Sequence, residues 1–223
     1  MSATALPAGL LYGRLLATAA ARLAVGGAPG AGAVRSADGR LSPLPFERWL
    51  RPAEGPDEIV LARVEGPALD IGCGPGRHVA ALRSRGCRAL GIDLSPVAVS
   101  ITRGRGAEAV LGSIFDDVVD AGAWQAALLL DGNVGIGGAP EALLGRAREL
   151  LASGGAVIAE FGPPGTATRR TRVRLEAGDA VSEWFPWADV GIDDARALAA
   201  ATGLSVDWTL DAGGRWFAAL RRA

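Results

Sequence analysis

Beyond residue 66 the chain alternates between two hydrophobic periods. Short apolar runs at 68–71, 88–93, 107–111, 124–131 and 156–161 read as strands buried on both faces. Between them, apolar residues recur every three or four positions, as on one face of a helix. Val79 and Leu82 start such a stretch, which Gly86 stops. Ser95-Pro96 opens the next with a cap and a first-turn proline. Leu143, Leu144, Ala147, Leu150 and Leu151 mark a third helix over 140–151, ended by Ser153-Gly-Gly155. A last helix is predicted over 192–202. Leu204, Val206, Trp208 and Leu210 then alternate, as do Trp216, Ala218 and Leu220, with Asp211-Ala-Gly-Gly214 joining them as a hairpin. Five βα repeats followed by a hairpin predict an α/β domain.

The first 64 residues read differently, and the pattern divides the chain into a cap (1–64) and a main domain (65–223). Leu10, Leu11, Leu15, Leu16, Ala19 and Leu23 predict an amphipathic helix over 7–25. That helix is expected either to lie over the site as a partial lid or simply to pack on the core. Arg14 and Arg22 interrupt its apolar run and no basic segment precedes it, so neither a membrane span nor a signal peptide is expected. Asp38-Gly39 between short flanks signals a β-hairpin. A helical turn at 46–50 and a helix at 56–64, opened by Pro56 and two acids, complete the cap.

The chemistry concentrates at 67–79. Ala68-Leu-Asp-Ile-Gly72-Cys-Gly74-Pro-Gly76 passes from strand to glycine turn to helix, with Asp70 two residues before the first glycine. Such a turn brings backbone N–H groups close to a small polar ligand. Its spacing is G-x-G-x-G, with Arg77 where a dinucleotide-binding turn has its third glycine. The next strand ends in Asp93, suited to accept both ribose hydroxyls of a bound nucleoside. Leu69-Asp-Ile-Gly-Cys-Gly-Pro-Gly-Arg-His78 followed by Gly91-Ile-Asp-Leu-Ser95 resembles the first two motifs of the class I S-adenosylmethionine-dependent methyltransferases. The similarity runs from about Pro67 to Phe161, and more loosely to the C-terminus.

The resemblance implies a doubly wound, Rossmann-like, seven-stranded sheet, mostly parallel with an antiparallel C-terminal hairpin strand. It implies S-adenosylmethionine as cofactor and a small-molecule acceptor. The cofactor-binding positions it implies are Asp70, Gly72, Gly74, Gly76, Arg77, Asp93, Leu94, Ser113, Ile114, Asp131 and Asn133. Ser113 stands where the family often carries an acid for the adenine, and Asp116 comes later. Two general-base candidates follow: His78, the one histidine, and Asp131 at the end of the fourth strand. An acceptor that is already nucleophilic needs neither. Asp131-Gly-Asn-Val differs from the Asn/Asp-Pro-Pro-aromatic motif of many nucleic-acid and protein amide methyltransferases, which favours a small acceptor. A nicotinamide-dependent oxidoreductase is the alternative enzyme class, and a non-catalytic S-adenosylmethionine-binding protein a third reading.

Composition adds constraints. The 223 residues are 49% hydrophobic, enough for one full core. Net charge is −1, which gives no electrostatic footprint for nucleic acid. All 23 basic residues are Arg. Cys73 and Cys87 suit a reduced, cytoplasmic chain rather than a disulfide. One histidine and scattered carboxylates show no metal-ligand spacing. The arginine alternation at 169–175 reads as a solvated strand. Trp184, Phe185 and Trp187 are expected either to wall an acceptor pocket or to belong to the core.

Overall fold

The computed structural model describes residues 5–222. In chain order it holds α1 (Ala8–Ala24), β1 (Ala33–Ser36), β2 (Leu41–Pro43), α2 (Phe46–Leu50), α3 (Pro56–Leu61), β3 (Ala68–Ile71), α4 (Arg77–Ser84), β4 (Ala89–Asp93), α5 (Pro96–Gly104) and β5 (Glu108–Leu111). There follow β6 (Trp124–Leu129), α6 (Pro140–Leu150), β7 (Leu151–Phe161), β8 (Arg169–Ala177), β9 (Ala180–Val181), β10 (Phe185–Asp189), α7 (Ala195–Ala201), β11 (Leu204–Ala212) and β12 (Arg215–Arg222).

The main sheet has seven strands in the order β11-β12-β7-β6-β3-β4-β5. Its pairs are parallel from β7 through β5, while β12 runs antiparallel to both β7 and β11. Strand alternation sends successive side chains to opposite faces. Ala68 of β3, Ala156 and Ile158 of β7 therefore meet Val60 and Leu61 of α3, Val79 and Leu82 of α4 and Val99 of α5. Leu69, Ile71, Val157 and Ala159 face the other way, onto Leu143, Leu144 and Ala147 of α6 and Leu198 of α7. The same period puts Asp70 and Glu160 on the face of α3 and α4. Because β12 is antiparallel, its first residue, Arg215, lies at the edge where the parallel strands end.

The five expected βα repeats are reduced to three. The crossover from β5 to β6 runs through 112–123 without a helix, and β7 is followed by strands rather than by a helix. β7 also starts earlier than the glycines suggested. Leu151 already pairs with Trp124, and the register shifts before Ala156 pairs with Ala126.

Those extra strands build a second sheet, in the order β10-β8-β1-β2 with β9 on β8, all antiparallel. The Asp38-Gly39 hairpin thus joins a partner more than 130 residues away in sequence. The arginine strand is β8. Val173 and Leu175 are buried, and its arginines are answered locally: Arg174 and Arg35 by Glu176 (2.6 and 2.7 Å), Arg170 by Glu141 (2.6 Å). That matches the solvated-strand expectation.

A small separate core of Leu16, Ala19, Phe46 and Ala98 ties α1 and α2 to α5. α1 packs against β8 of the second sheet, and Leu6, just before the helix, donates its N–H to the Val181 carbonyl of β9 (2.9 Å). The helix therefore bridges α5 and β8 across the end of the main sheet.

Candidate active site

The glycine turn is held open by backbone geometry and by its neighbours. Gly72, Gly74 and Gly76 take φ values of 67°, 53° and 75°, which disfavour any residue with a Cβ. A Cβ on Gly72 would sit 2.9 Å from the Asn133 amide nitrogen, and one on Gly74 3.3 Å from the Tyr12 hydroxyl. Asn133 clasps the turn by donating to the carbonyls of Ile71 (3.0 Å) and Gly72 (2.9 Å). Thr102 of α5 donates to the Gly74 carbonyl (3.0 Å).

Asp93 closes the turn from the next strand. Its Oδ2 accepts from the Gly74 N–H and its Oδ1 from the Ser95 N–H, each at 2.8 Å. Burial pushes its pKa up, and the two backbone donors oppose that. A carboxylate has about four acceptor positions, so two stay open for vicinal hydroxyls. Leu94 beside it is 69% exposed, and Leu111 and Phe115 are also exposed at this sheet edge.

The residues after β5 are tied to one another. Ser113 Oγ accepts from the Phe115 N–H (3.1 Å). The Ser113 N–H donates to Asp116 Oδ2 (3.1 Å), so the later carboxylate folds back onto Ser113. Ile114 is buried in the core, and its carbonyl accepts from Arg146 (2.9 Å).

Behind the turn lies a buried charge cluster. Arg77, 4% exposed, donates to Asp57 (2.8 Å) and to both oxygens of Asp131 (2.6 and 2.9 Å). Arg215 donates to Asp57 (2.6 Å), Glu160 (2.7 Å) and Asp131 (3.3 Å). Arg48 of α2 reaches Asp131 at 3.1 Å. His78 Nε2 lies 3.4 Å from Asp57 and Nδ1 3.6 Å from Asp70. Asp57, Asp70, Asp131 and Glu160 face three guanidiniums, so a protonated His78 brings the cluster to neutrality. Burial alone would lower the His78 pKa, but Asp57 and Asp70 raise it to about 9. Burial would raise Asp57 and Asp131, yet His78 and Arg77 hold Asp57, and Arg77 holds Asp131, below the usual carboxylate range.

These contacts carry a pH consequence. A group whose folded pKa exceeds its unfolded value stabilises fully below the unfolded pKa and loses that stabilisation as pH passes the folded one. For His78 the window runs from 6.5 to about 9. Raising the pH through it is expected to cost on the order of 3 kcal/mol of stability. Urea midpoints measured across that window should fall for the native chain, and the His78→Gln variant should lose most of that slope.

The expected site residues thus fall into two groups. Gly72, Gly74, Gly76, Asp93 and Asn133 meet at the glycine turn, with Leu94 exposed beside Asp93 and Ser113 and buried Ile114 following β5. Asp70, Arg77, His78 and Asp131 form the ionic floor beneath it. Arg77 is buried on Asp57 and Asp131. His78 is enclosed between Asp57 and Asp70, whose carboxylates raise its pKa to about 9. Asp131 carries three arginines, Arg48, Arg77 and Arg215. Its N–H donates to Glu160 (2.6 Å), and its backbone takes φ 57°. Tyr12, Arg48, Asp57, Glu160 and Arg215 were not expected here. Glu160 had a signal, a charge inside the apolar run 156–161. Asp57 read as a helix N-terminal acid, and nothing local marked Arg215. Of the three aromatics after β7, Trp184 stacks under Arg174 (5.1 Å), and Phe185 meets Trp187 edge-on (6.5 Å). Among the described residues no group of three or more His, Cys, Asp or Glu is placed to hold a metal ion. No described helix is long and apolar enough to cross a membrane.

The sheet order with β12 antiparallel is a Rossmann-like fold found in solved methyltransferases. Residues 68–155 match the family described as a methyltransferase domain. The whole chain is similar to a SAM-dependent methyltransferase from Bacteroides fragilis solved with S-adenosyl-L-homocysteine. The TM-score is 0.78 at 23% identity, covering 100% of this chain and 99% of that one. It is also similar to the Burkholderia thailandensis 1,6-didemethyltoxoflavin-N1-methyltransferase, with TM-score 0.57, 16% identity, and 75% and 76% of the two chains covered. A stretch of 62 residues is 38% identical to a 2-heptyl-1-hydroxyquinolin-4(1H)-one methyltransferase of Mycobacteroides abscessus, covering 28% of this chain. That match spans about a quarter (27%) of the relative's own length.

Proposed function

We propose that this protein transfers a methyl group from S-adenosylmethionine to a small-molecule acceptor. The observation that carries the reading is Asp93: a carboxylate fixed on the glycine turn by two backbone N–H groups, with acceptor positions left for a ribose. Bound there, the cofactor supplies an electrophilic methyl on a sulfonium. The chain's part is to orient and to exclude water. Gly72 and Gly74 let the methionyl portion approach the backbone, and Asp93 holds the ribose. Leu94, Leu111 and Phe115 cover the base, with the Asp116 carboxylate near its edge. Tyr12 brings α1 over the turn. The curated relative's acceptor is a hydroxyquinolinone, and a compound of that size is what we assign to this chain. The buried Cys73 thiol and the unpaired Cys87 fit a reducing compartment, and we place the protein in the cytoplasm.

Calorimetric titration tests the reading. S-adenosylmethionine and S-adenosylhomocysteine should bind in the micromolar range and NADH should not. Binding of NADH alone would return the chain to the oxidoreductase class.

A further inference from the structure

A cavity lies away from the glycine turn, where the C-terminal ends of α1, α2 and α5 meet. It measures about 750 Å³, within the roughly 300–1,000 Å³ of small-ligand pockets. Ala20, Leu23 and Ala24 of α1, Leu50 of α2 and Ile101 of α5 line it with apolar surface. Leu50 and Ile101 also pack on the small core of Leu16, Ala19, Phe46 and Ala98, so the cavity floor continues that core. The linker at 26–29 closes one side. Gly26 takes φ 75°, and the Gly27 N–H donates back to the Arg22 carbonyl (2.9 Å).

Charge around this cavity is unbalanced. Glu47 at the rim is taken by Arg51 (2.6 Å). Arg105, the residue after α5, is half-buried and donates through Nη2 to the Leu50 carbonyl. Among the described residues no carboxylate pairs with it, which leaves most of its five donors free. Burial and the positive charge of Arg77 push its pKa down, and no acid opposes them. A partly desolvated cation without a counter-ion is a position that an anion stabilises.

We propose that this cavity binds a free amphipathic carboxylate, with its head on Arg105 and its aliphatic tail along α1, Leu50 and Ile101. A planar carboxylate matches the fork of a guanidinium. The tail takes apolar surface of both ligand and protein out of water. A cationic or wholly aliphatic ligand would leave Arg105 unpaired. The site is separate from the cofactor's. α5 is capped by Ser95, close after Asp93, and Arg105 lies at its other end, about 14 Å along the helix.

The test is calorimetric titration of the full chain with hexanoate, octanoate, decanoate and decan-1-ol, each kept monomeric. Decanoate should bind ~10- to 100-fold more tightly than decan-1-ol, the strength of a charge-assisted hydrogen bond. Each methylene added to the acid should tighten binding by up to about 4-fold. Arg105→Gln, which keeps a donor for the Leu50 carbonyl, should erase the preference for the acid and leave decan-1-ol binding unchanged. Ala24→Trp, on an exposed position of α1, should fill the cavity and abolish binding of both. Decanoate affinity should be the same with and without saturating S-adenosylhomocysteine. The proposal is overturned if decanoate binds no tighter than decan-1-ol, if the preference survives in Arg105→Gln, or if S-adenosylhomocysteine competes. Should Arg105→Gln fail to fold, Ala24→Trp decides, and decanoate binding retained there overturns the site. Sedimentation of the native chain with phosphatidylglycerol vesicles would overturn the free ligand in favour of a membrane surface.

Discussion

Asp93→Ala is expected to weaken S-adenosylhomocysteine binding ~30- to 1,000-fold, equivalent to about 2–4 kcal/mol. Two losses combine. The ribose loses a charged acceptor, for which each hydrogen bond is worth roughly 1.5–3 kcal/mol. The free protein also loses the carboxylate that accepts from Gly74 and Ser95 at 2.8 Å, so the turn and the start of α5 are no longer fixed before binding. Asp93→Asn separates the two. Its amide keeps one acceptor oxygen for the turn but offers a donor where the second hydroxyl needs an acceptor. Calorimetry should place it between the native chain and Asp93→Ala. An alanine variant that binds as tightly as the native chain would show that the ribose is held elsewhere.

What the sequence showed of this architecture depended on range. The glycine turn, Asp93 and the terminal hairpin are written in local residue order. Strand period and turn chemistry therefore suffice to place them. The second sheet is not local. β1 pairs with β8, Val34 opposite Leu175, and nothing in either segment names the other. The helix expected to carry on to residue 64 stops at Leu61.

The ionic floor was hidden for the same reason. Arg77 and His78 follow the turn in sequence and were read there as a cofactor contact and a base. Their partners come from α3, from the end of β6, from inside β7 and from the start of β12. Only the antiparallel direction of β12 brings Arg215 to that edge. A charged residue's role is set by which face its strand period selects. That face becomes visible once the order of strands is known. Glu160 was the exception, since an isolated acid in a buried strand implies a partner.

Arg77→Met should destabilise the fold by about 3–5 kcal/mol, because the substitution leaves buried carboxylates without their principal cation. Asp57 is 3% exposed and Asp131 is partly buried, so neither can turn to water without moving α3 or the loop after β6. Arg215 still touches both at 2.6 and 3.3 Å and keeps the loss from growing further. Part of the stability should return in Arg77→Met with Asp131→Asn, since the pair is removed together rather than split. The exposed pair Arg83–Glu108 supplies the contrast. Its 2.6 Å separation is equally short, but its side chains are 36% and 66% exposed. Arg83→Met should cost less than about 1 kcal/mol, because water screens the pair and solvates what remains. Urea unfolding of the three variants beside the native chain measures all of this. Equal losses for Arg77→Met and Arg83→Met would show that the cluster is solvated in solution and does not brace the glycine turn.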